Sequence, residues 1–363
     1  MNTYPYDSIT INNRQIQLDH ILTGSTAPLS AFEASTYLFI KKWFASSGDF
    51  IQKTSGSTGP AKEISITRDQ MSASAELTAK ALGLKAGENS LLCLDPEFIA
   101  GKMMLVRTFI VGMKLIAVDP SSNPLNVVPL SVPVDFMAVV PLQLNAILDS
   151  ESSGRINSIR NILVGGAALD ESIQRKLAKL ENPVYATYGM TETISHVALQ
   201  PVNGPFASEY FTVLPGIKID IDDRGCLEIY VPFLPEKIIT NDLVEMASAE
   251  QFKWLGRVDN VINTGGKKVV PEKLEGQIRQ MFDQQDIKNR FLISSRRDPL
   301  LGDRVILLIE GELRTISTQI LKSSLQKILM THEVPKEIYT NTRFVMTKNG
   351  KVNRAETARQ IGN

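Results

Sequence analysis

The sequence is poor in the residues that mark sulfur, metal or membrane chemistry. Among 363 residues cysteine occurs only at Cys93 and Cys226, too few for a disulfide framework or a cysteine-rich zinc site. No apolar run reaches the roughly 20 residues that a membrane-spanning helix needs. The opening stretch MNTYPYDSITINNRQ is polar and lacks the basic-then-apolar order of a secretory signal. An excess of either charge is also missing: 39 Lys and Arg balance 39 Asp and Glu. A chain without a basic field or basic stripe is a poor nucleic-acid or membrane-surface binder. Internal repeats and low-complexity tracts are absent. What is present is 43% hydrophobic and 21% charged residues, the balance of a globular protein with a proper core. At about 150 residues per domain this length predicts two or three domains, and the composition predicts a cytoplasmic protein. Homo-oligomerisation is left open.

The pattern along the chain predicts an α/β fold. Ala31 to Phe44 has helical spacing and a Ser-Ser-Gly stop. From Ser90 strands and helices alternate. LLCLD, KLIAVDP, DFMAVVP and NILVGG read as strands, and the segments Ile99 to Met113, Gln143 to Asp149 and Asp170 to Leu180 read as helices. That rhythm predicts a mostly parallel sheet. After His196 the texture changes to short alternating strands (IKIDID, CLEIYV, EKIITND) separated by Asp-Asp-Arg-Gly and Pro turns, which predicts antiparallel β structure. A second break falls near Gly256 to Asp259. Beyond it come helices at Pro271 to Phe282 and Ser317 to Met330, and strands at FLISS and RVILLIEG. These predict a small C-terminal α+β domain.

One loop carries chemistry on its face. Residues 53–62 read KTSGSTGPAK. Glycines and hydroxyls this dense leave backbone N–H groups unobstructed, and Ser55, Ser57, Thr58 and Lys62 add donors and charge, so the loop can cradle a polyphosphate. It lacks the terminal Gly-Lys-Ser/Thr of a Walker loop, and a Gly/Ser turn joining two elements is the plainer alternative.

Four further segments turn that loop into a signature. The loop resembles the TSGSTGxPK motif of the adenylate-forming superfamily, which comprises acyl- and aryl-CoA synthetases, nonribosomal adenylation domains and luciferases. In the same order follow Tyr188-Gly189-Met190-Thr191-Glu192, similar to Y-G-x-T-E, and Thr240-Asn241-Asp242, in the place of T-G-D. GRVDNVINTGGKKVVPEKLE, from Gly256 to Glu275, resembles the hinge segment, and Thr347-Lys348-Asn349-Gly350-Lys351 resembles the C-terminal K-x-x-G-K. Within the superfamily, YGMTETISHVAL and IAGKMMLVR are most similar to the branch that activates o-succinylbenzoate.

The resemblance implies a large N-terminal α/β adenylation domain with a β-rich portion (1–256), a hinge (257–259) and a small mobile C-terminal α+β domain (260–363). Only 53 residues precede Thr54, so the first subdomain is expected to be shortened relative to longer relatives. The implied activity is that of an ATP- and Mg2+-dependent ligase. It adenylates a carboxylic acid and passes the acyl group to coenzyme A, a step of menaquinone synthesis if the acid is o-succinylbenzoate. The loop residues Thr54, Ser55, Gly56, Ser57, Thr58, Gly59 and Lys62 would hold the phosphates. Lys351 would meet the α-phosphate and the reacting carboxylate, and Thr191 would hydrogen-bond the α-phosphate. Glu192 would ligate Mg2+, since a hard cation takes carboxylate oxygen. Tyr188 would lie near the adenine, and Asp242 and Arg257 would hold the ribose hydroxyls. Asp259 would be the pivot. Asn241 and Asn263 stand where the family usually has Gly and Lys.

A dicarboxylate also needs a partner for the carboxylate that does not react, because desolvating it unpaired is costly. Lys102 and Arg107 lie in a helix that is apolar nearly all round, and His196 follows the Thr-Glu-Thr segment. All three are candidates, against the alternatives of a snorkelling Lys, a structural ion pair and a satisfied core His. Gly165 and Gly166 either let backbone approach the acyl group or make a tight strand-to-helix turn. Two rival readings remain: a ligase for another aryl or acyl acid, including one that loads a carrier protein, and a nucleotide-binding module without catalysis.

Overall fold

Between Asn89 and Gly189 the alternation of strands and helices builds a parallel sheet, as the periodicity predicts. The computed structural model describes residues 7–45, 48–53, 63–167, 169, 171–346 and 352–361. The chain forms two units. One comprises Met1–Ile219, Ile229–Ile238 and Ala247–Phe252, and the other Asp220–Glu228, Ile239–Met246 and Lys253–Asn363.

In the first unit the strands Ser8–Ile11, Lys114–Ala117, Asn89–Leu92, Phe136–Val139, Asn161–Val164 and Val184–Gly189 lie side by side, each parallel to its neighbours. Antiparallel strands extend both sides: Arg14–Gln17 beyond Ser8–Ile11, and His196–Pro201 then Phe211–Val213 beyond Val184–Gly189. Asn161–Val164 is buried along its whole length, the mark of a strand covered on both faces. Leu91, Met137, Leu144, Ile147, Ile162 and Val184 belong to one core beneath it. Strand order reverses at Asn89–Leu92, which has Lys114–Ala117 on one side and Phe136–Val139 on the other. In an open α/β sheet the carboxyl ends of the strands near such a reversal are where ligands bind.

Two helices matter for the site. Arg68–Leu82 opens with a capping box, in which Thr67 accepts from the Gln70 N–H and Gln70 accepts from the Thr67 N–H, and it stops at left-handed Gly83. Ile99–Val111 stops at Gly112, also left-handed. Its buried residues include Met103, Met104, Leu105, Val106, Arg107 and Phe109, as its nearly continuous apolar surface predicts.

The second unit has an α+β core of its own. Lys267–Val269, Ile262–Thr264, Gly302–Glu310 and Phe291–Asp298 are neighbours in an antiparallel sheet, and Glu337–Thr342 joins Gly302–Glu310 in parallel. Helices Pro271–Gln284 and Thr318–Ile328 bury Leu274, Ile278, Phe282, Leu321 and Leu325 against it.

The observed elements differ from expectation mainly at their ends. The helix expected at Asp170 to Leu180 spans Glu171–Leu177, and Asp170 itself lies outside the described residues. The strand expected at EKIITND runs on to Ser248, since Asp242 and Val244 continue its alternating buried face. Among the described residues no helix is long and apolar enough to cross a membrane.

Candidate active site

The glycine-rich loop residues Thr54, Ser55, Gly56, Ser57, Thr58, Gly59 and Lys62 lie outside the described residues, as does Lys351. The strand that leads into the loop, Phe50–Lys53, is described and pairs with Glu63–Ile66 on the far side.

The best-defined part of the site grows from the ends of two adjacent parallel strands. Asn161–Val164 ends in Gly165-Gly166, and Val184–Gly189 ends in Met190-Thr191-Glu192. A Cβ on Gly165 would stand 2.6 Å from Thr187 Oγ1, so glycine there lets the two strand ends close up. Gly166 takes φ +90°, a turn conformation that suits glycine. At Gly189 a Cβ would meet the Ser195 carbonyl oxygen at 2.4 Å and His196 Cα at 2.5 Å, so only glycine lets the 189 and 195–196 backbones pass.

The segment between them is a short 3-10 turn, Thr191–Thr193. Thr193 staples it: its Oγ1 accepts from the Met190 N–H at 2.9 Å and lies 2.6 Å from the Ser195 carbonyl oxygen, to which it donates. Ile194 then adopts φ +70°, ψ −47° with its side chain buried. A β-branched residue is strained there, by about 1–3 kcal/mol. The kink divides the segment: Glu192 on one side is exposed, and His196 on the other is 8% exposed.

Inside, three elements meet. Arg107, 2% exposed, comes from helix Ile99–Val111, and its Nη2 donates to Ser195 Oγ at 2.5 Å and lies 3.4 Å from His196 Nδ1. On the opposite ring edge His196 Nε2 is 3.1 Å from Thr78 Oγ1, which donates to the Ser74 carbonyl at 3.2 Å within helix Arg68–Leu82. With its one proton used on Ser74, Thr78 accepts from Nε2–H. The Nδ1 lone pair then faces the guanidinium. Burial and the Arg107 charge hold the His196 pKa well below its usual 6.5, so the ring is neutral. Burial pushes the Arg107 pKa down to about 9, which leaves it a cation at neutral pH. No carboxylate lies within ion-pair distance of Arg107 among the described residues, and its buried Nε has no hydrogen-bond partner there. Interior guanidinium groups ordinarily sit against an acid. This one sits among hydroxyl and imidazole groups with donor capacity left over.

Lys102 belongs to a different neighbourhood, five residues earlier on the same helix. Its Nζ donates to Gln52 Oε1 at 2.6 Å, in the strand that leads into the glycine-rich loop. Burial, with the nearby Lys42 charge, lowers its pKa. The structure therefore joins Arg107 to His196 and does not join Lys102 to either. Tyr188 is half-buried, edge-on to Phe252 at 5.0 Å and tilted against Phe211 at 5.8 Å. Thr78, Ser195 and the Ile194 kink carried no signal in the sequence. A Thr on an amphipathic helix and an Ile at left-handed φ are invisible to periodicity.

In the second unit Asp242, 8% exposed, accepts from the Trp254 indole N–H at 3.2 Å, with Arg257 Nη1 3.5 Å away. The other end of the Arg257 guanidinium donates to Asp259 at 2.7 Å. Asn241 fills a purpose that a glycine cannot: its amide donates to both Asp259 oxygens at 3.1 and 3.2 Å while its carbonyl accepts from Arg224 at 2.9 Å. Asp242, Arg257 and Asp259 are thus one cluster, whereas Asn263 on Ile262–Thr264 is exposed to solvent.

Glu192 presents a carboxylate at a strand end, and no group of three or more His, Cys, Asp or Glu able to hold a metal exists among the described residues. This donor set fits a hard cation that takes one protein oxygen and the rest from phosphates, and does not fit a metal held by protein alone.

Residues 45–229 match the AMP-binding enzyme family. The chain is 38% identical to an acyl-CoA synthetase (AMP-forming)/AMP-acid ligase II-like protein of Dyadobacter fermentans, with a TM-score of 0.63 over 94% of this chain and 97% of that one. It is 27% identical over 324 residues to 2-succinylbenzoate–CoA ligase of Lactococcus lactis, covering 84% of this chain and 70% of the relative. Its fold is similar to o-succinylbenzoate CoA synthetase of Bacillus subtilis in complex with its acyl-adenylate, at 20% identity and a TM-score of 0.70 over 84% and 68% of the two chains.

Proposed function

The chain belongs to the AMP-binding enzyme family, and on that premise we propose that it is an AMP-forming acid–thiol ligase that activates o-succinylbenzoate with ATP and transfers the acyl group to coenzyme A. The observation that carries the choice of acid is Arg107: a buried cation with no acidic partner among the described residues, able to receive the carboxylate that does not react. Neutral His196 and Ser195 hold the guanidinium without neutralising it. Similarity to ligases named for this acid points the same way.

In the first half-reaction a carboxylate oxygen of the acid bonds to the α-phosphorus of ATP and the bond to pyrophosphate breaks. In the second, the thiol sulfur of coenzyme A bonds to the acyl carbon, AMP leaves with the carboxyl oxygen, and the thiol proton is lost to solvent. Charge accumulates on the phosphoryl oxygens in the first step, so positioned donors and cations are what accelerate it. We assign the loop 54–62 to the phosphates, Thr191 and Lys351 to the α-phosphate region, Tyr188 to the adenine side, and Asp242 with Arg257 to the ribose hydroxyls. Glu192 would hold a magnesium ion, which when bound offsets phosphate charge. Gly165 and Gly166 line the acyl side. We place the hinge at 257–259, between an adenylation domain (1–256) and a small mobile domain (260–363). Asp259 would be the pivot that alternates the half-reactions. We infer a cytoplasmic location, where ATP and the free thiol of coenzyme A are both supplied.

Pyrophosphate release measured with a panel of carboxylic acids, each with and without coenzyme A, tests this. Turnover with o-succinylbenzoate, and thioester only when coenzyme A is added, is the expected result. Release with another acid overturns the substrate, a carrier protein replacing coenzyme A overturns the acceptor, and nucleotide binding with no release at all overturns the enzyme.

A further inference from the structure

Helix Arg68–Leu82 contributes one side chain to the buried cluster around Arg107, and that side chain has a single chemical option. Thr78 and Ser74 are both buried, one turn apart on the helix. A Thr hydroxyl inside a helix bonds back to the carbonyl four residues earlier, and Thr78 Oγ1 does so, donating to Ser74 at 3.2 Å. A hydroxyl has one proton. Towards His196 Nε2, 3.1 Å away, Thr78 therefore offers lone pairs alone.

The constraint passes through the ring. A neutral imidazole carries one proton, and with an acceptor on this edge that proton is on Nε2. Nδ1 on the other edge is then a bare acceptor, 3.4 Å from Arg107 Nη2 and 3.4 Å from Ser195 Oγ. In the opposite tautomer an N–H would face the N–H groups of the guanidinium, donor against donor. The strand end cannot retreat from such a clash. Thr193 Oγ1 ties down the Ser195 carbonyl at 2.6 Å, and a Cβ on Gly189 would already stand 2.5 Å from His196 Cα. The part that can move is the long Arg107 side chain.

We propose that Thr78 is a positioning residue for substrate binding: by accepting from His196 it fixes the ring as the Nε2–H tautomer, and the Nδ1 lone pair turned to Arg107 keeps the guanidinium aimed at the carboxylate that does not react. This rests on the reading of Arg107 as the partner of that carboxylate. Ser195 remains as a second support, accepting from Nη2 at 2.5 Å, so without Thr78 the cation is misaimed rather than lost. A carboxylate that takes no part in the reaction meets Arg107 alike in the ground and transition states. The effect therefore belongs in KM and not in kcat.

The test is Thr78→Val, which keeps the branched shape and removes the acceptor. KM for o-succinylbenzoate is expected to rise about tenfold, less than on loss of the cation itself, with KM for ATP and kcat each within about twofold. Thr78→Ser, whose hydroxyl can bond back along the helix in the same way, is expected to restore KM to within about twofold. A packing role alone would not move the tautomer. Histidine occurs only at His20, His196 and His332, so nitrogen NMR of protein labelled at histidine reads the ring directly, with His196→Gln identifying its signals. A bare Nδ1 and a protonated Nε2 are expected in the unsubstituted protein and in Thr78→Ser, and loss of that pattern in Thr78→Val. KM for the acid and for ATP rising together, no recovery with Thr78→Ser, or a proton on Nδ1 in the unsubstituted protein overturns the proposal. In an Arg107→Met background Thr78→Val is expected to add nothing to KM for the acid, and a further rise there overturns it as well. Arg107→Met leaving that KM unchanged, or no turnover of the dicarboxylate by the unsubstituted enzyme, overturns the reading of Arg107 and the proposal with it, by a different signature. Should Thr78→Val fail to fold, Thr78→Ala carries the same expected split, and the tautomer in the unsubstituted protein still decides.

Discussion

At Arg107 the protein keeps a guanidinium in its interior with Ser195 and His196 for company and no acid among the described residues. Two outcomes follow from that one side chain. Arg107→Met is expected to raise KM for the dicarboxylate by a factor of about 30 or more, the cost of leaving a buried carboxylate unpaired, with KM for ATP unchanged. It is also expected to leave thermal stability equal or higher, since replacing a buried charge by an apolar side chain relieves its desolvation. A fall in melting temperature would mean that its contacts to Ser195 and His196 are structural instead. His196 gives the pH outcome. Its pKa in the fold lies well below 6.5, so the unfolded chain takes up the proton first. Its contribution to stability is complete above about pH 6.5 and declines by up to about 1.4 kcal/mol per pH unit below it. Urea unfolding at pH 7.5 and 5.5 should show that slope, and His196→Gln should remove it.

The helices and strands were legible wherever one period ran uninterrupted. Ile99–Val111 is apolar nearly all round and mostly buried as expected, and Asn161–Val164 reads as the fully covered strand it is. Element ends were harder, because they depend on which alternating positions find a covering partner, as Asp242 and Val244 do. The motifs point to Thr191, Glu192, Asp242 and Arg257 as candidates, yet give no sign of what holds Arg107 and His196 in place. Thr78 and Ser195 act through hydrogen bonds between elements far apart in sequence, which no local pattern encodes. Gly101 shows how a helix placement is enforced. A Cβ there would stand 2.4 Å from the Asp95 carbonyl oxygen and 2.7 Å from that of Leu94, both backbone atoms. Gly101→Ala is expected to destabilise the fold by about 1–3 kcal/mol and, by shifting the helix that carries Arg107, to raise KM for the acid. Denaturant unfolding and steady-state kinetics check the two together.

At the scale of the whole molecule the α/β class follows from the sequence, because strand–helix alternation leaves few other arrangements. The proposed alternation about Asp259 makes a prediction at this scale. Proline fixes φ near −65°, which a 3-10 turn such as Val258–Asn260 already accommodates, and it withdraws the freedom to swing. Asp259→Pro is expected to leave one half-reaction near its normal rate and slow the other by about a hundredfold, read from pyrophosphate release and from thioester formation with supplied acyl-adenylate. Equal effects on the two would argue against a pivot at this residue.

The buried charge of Arg107, with no acid beside it among the described residues, also reaches beyond the role proposed for it. A protein that carries an unmet interior cation is a weaker structure empty than filled, and any anion that fits is a folding chaperone for it. Binding at a hundred times Kd adds about 2.7 kcal/mol to the stability of the filled form. Such a margin changes how often a chain opens to proteases, so the supply of the acid would set how long each copy of the enzyme survives as well as how fast it works.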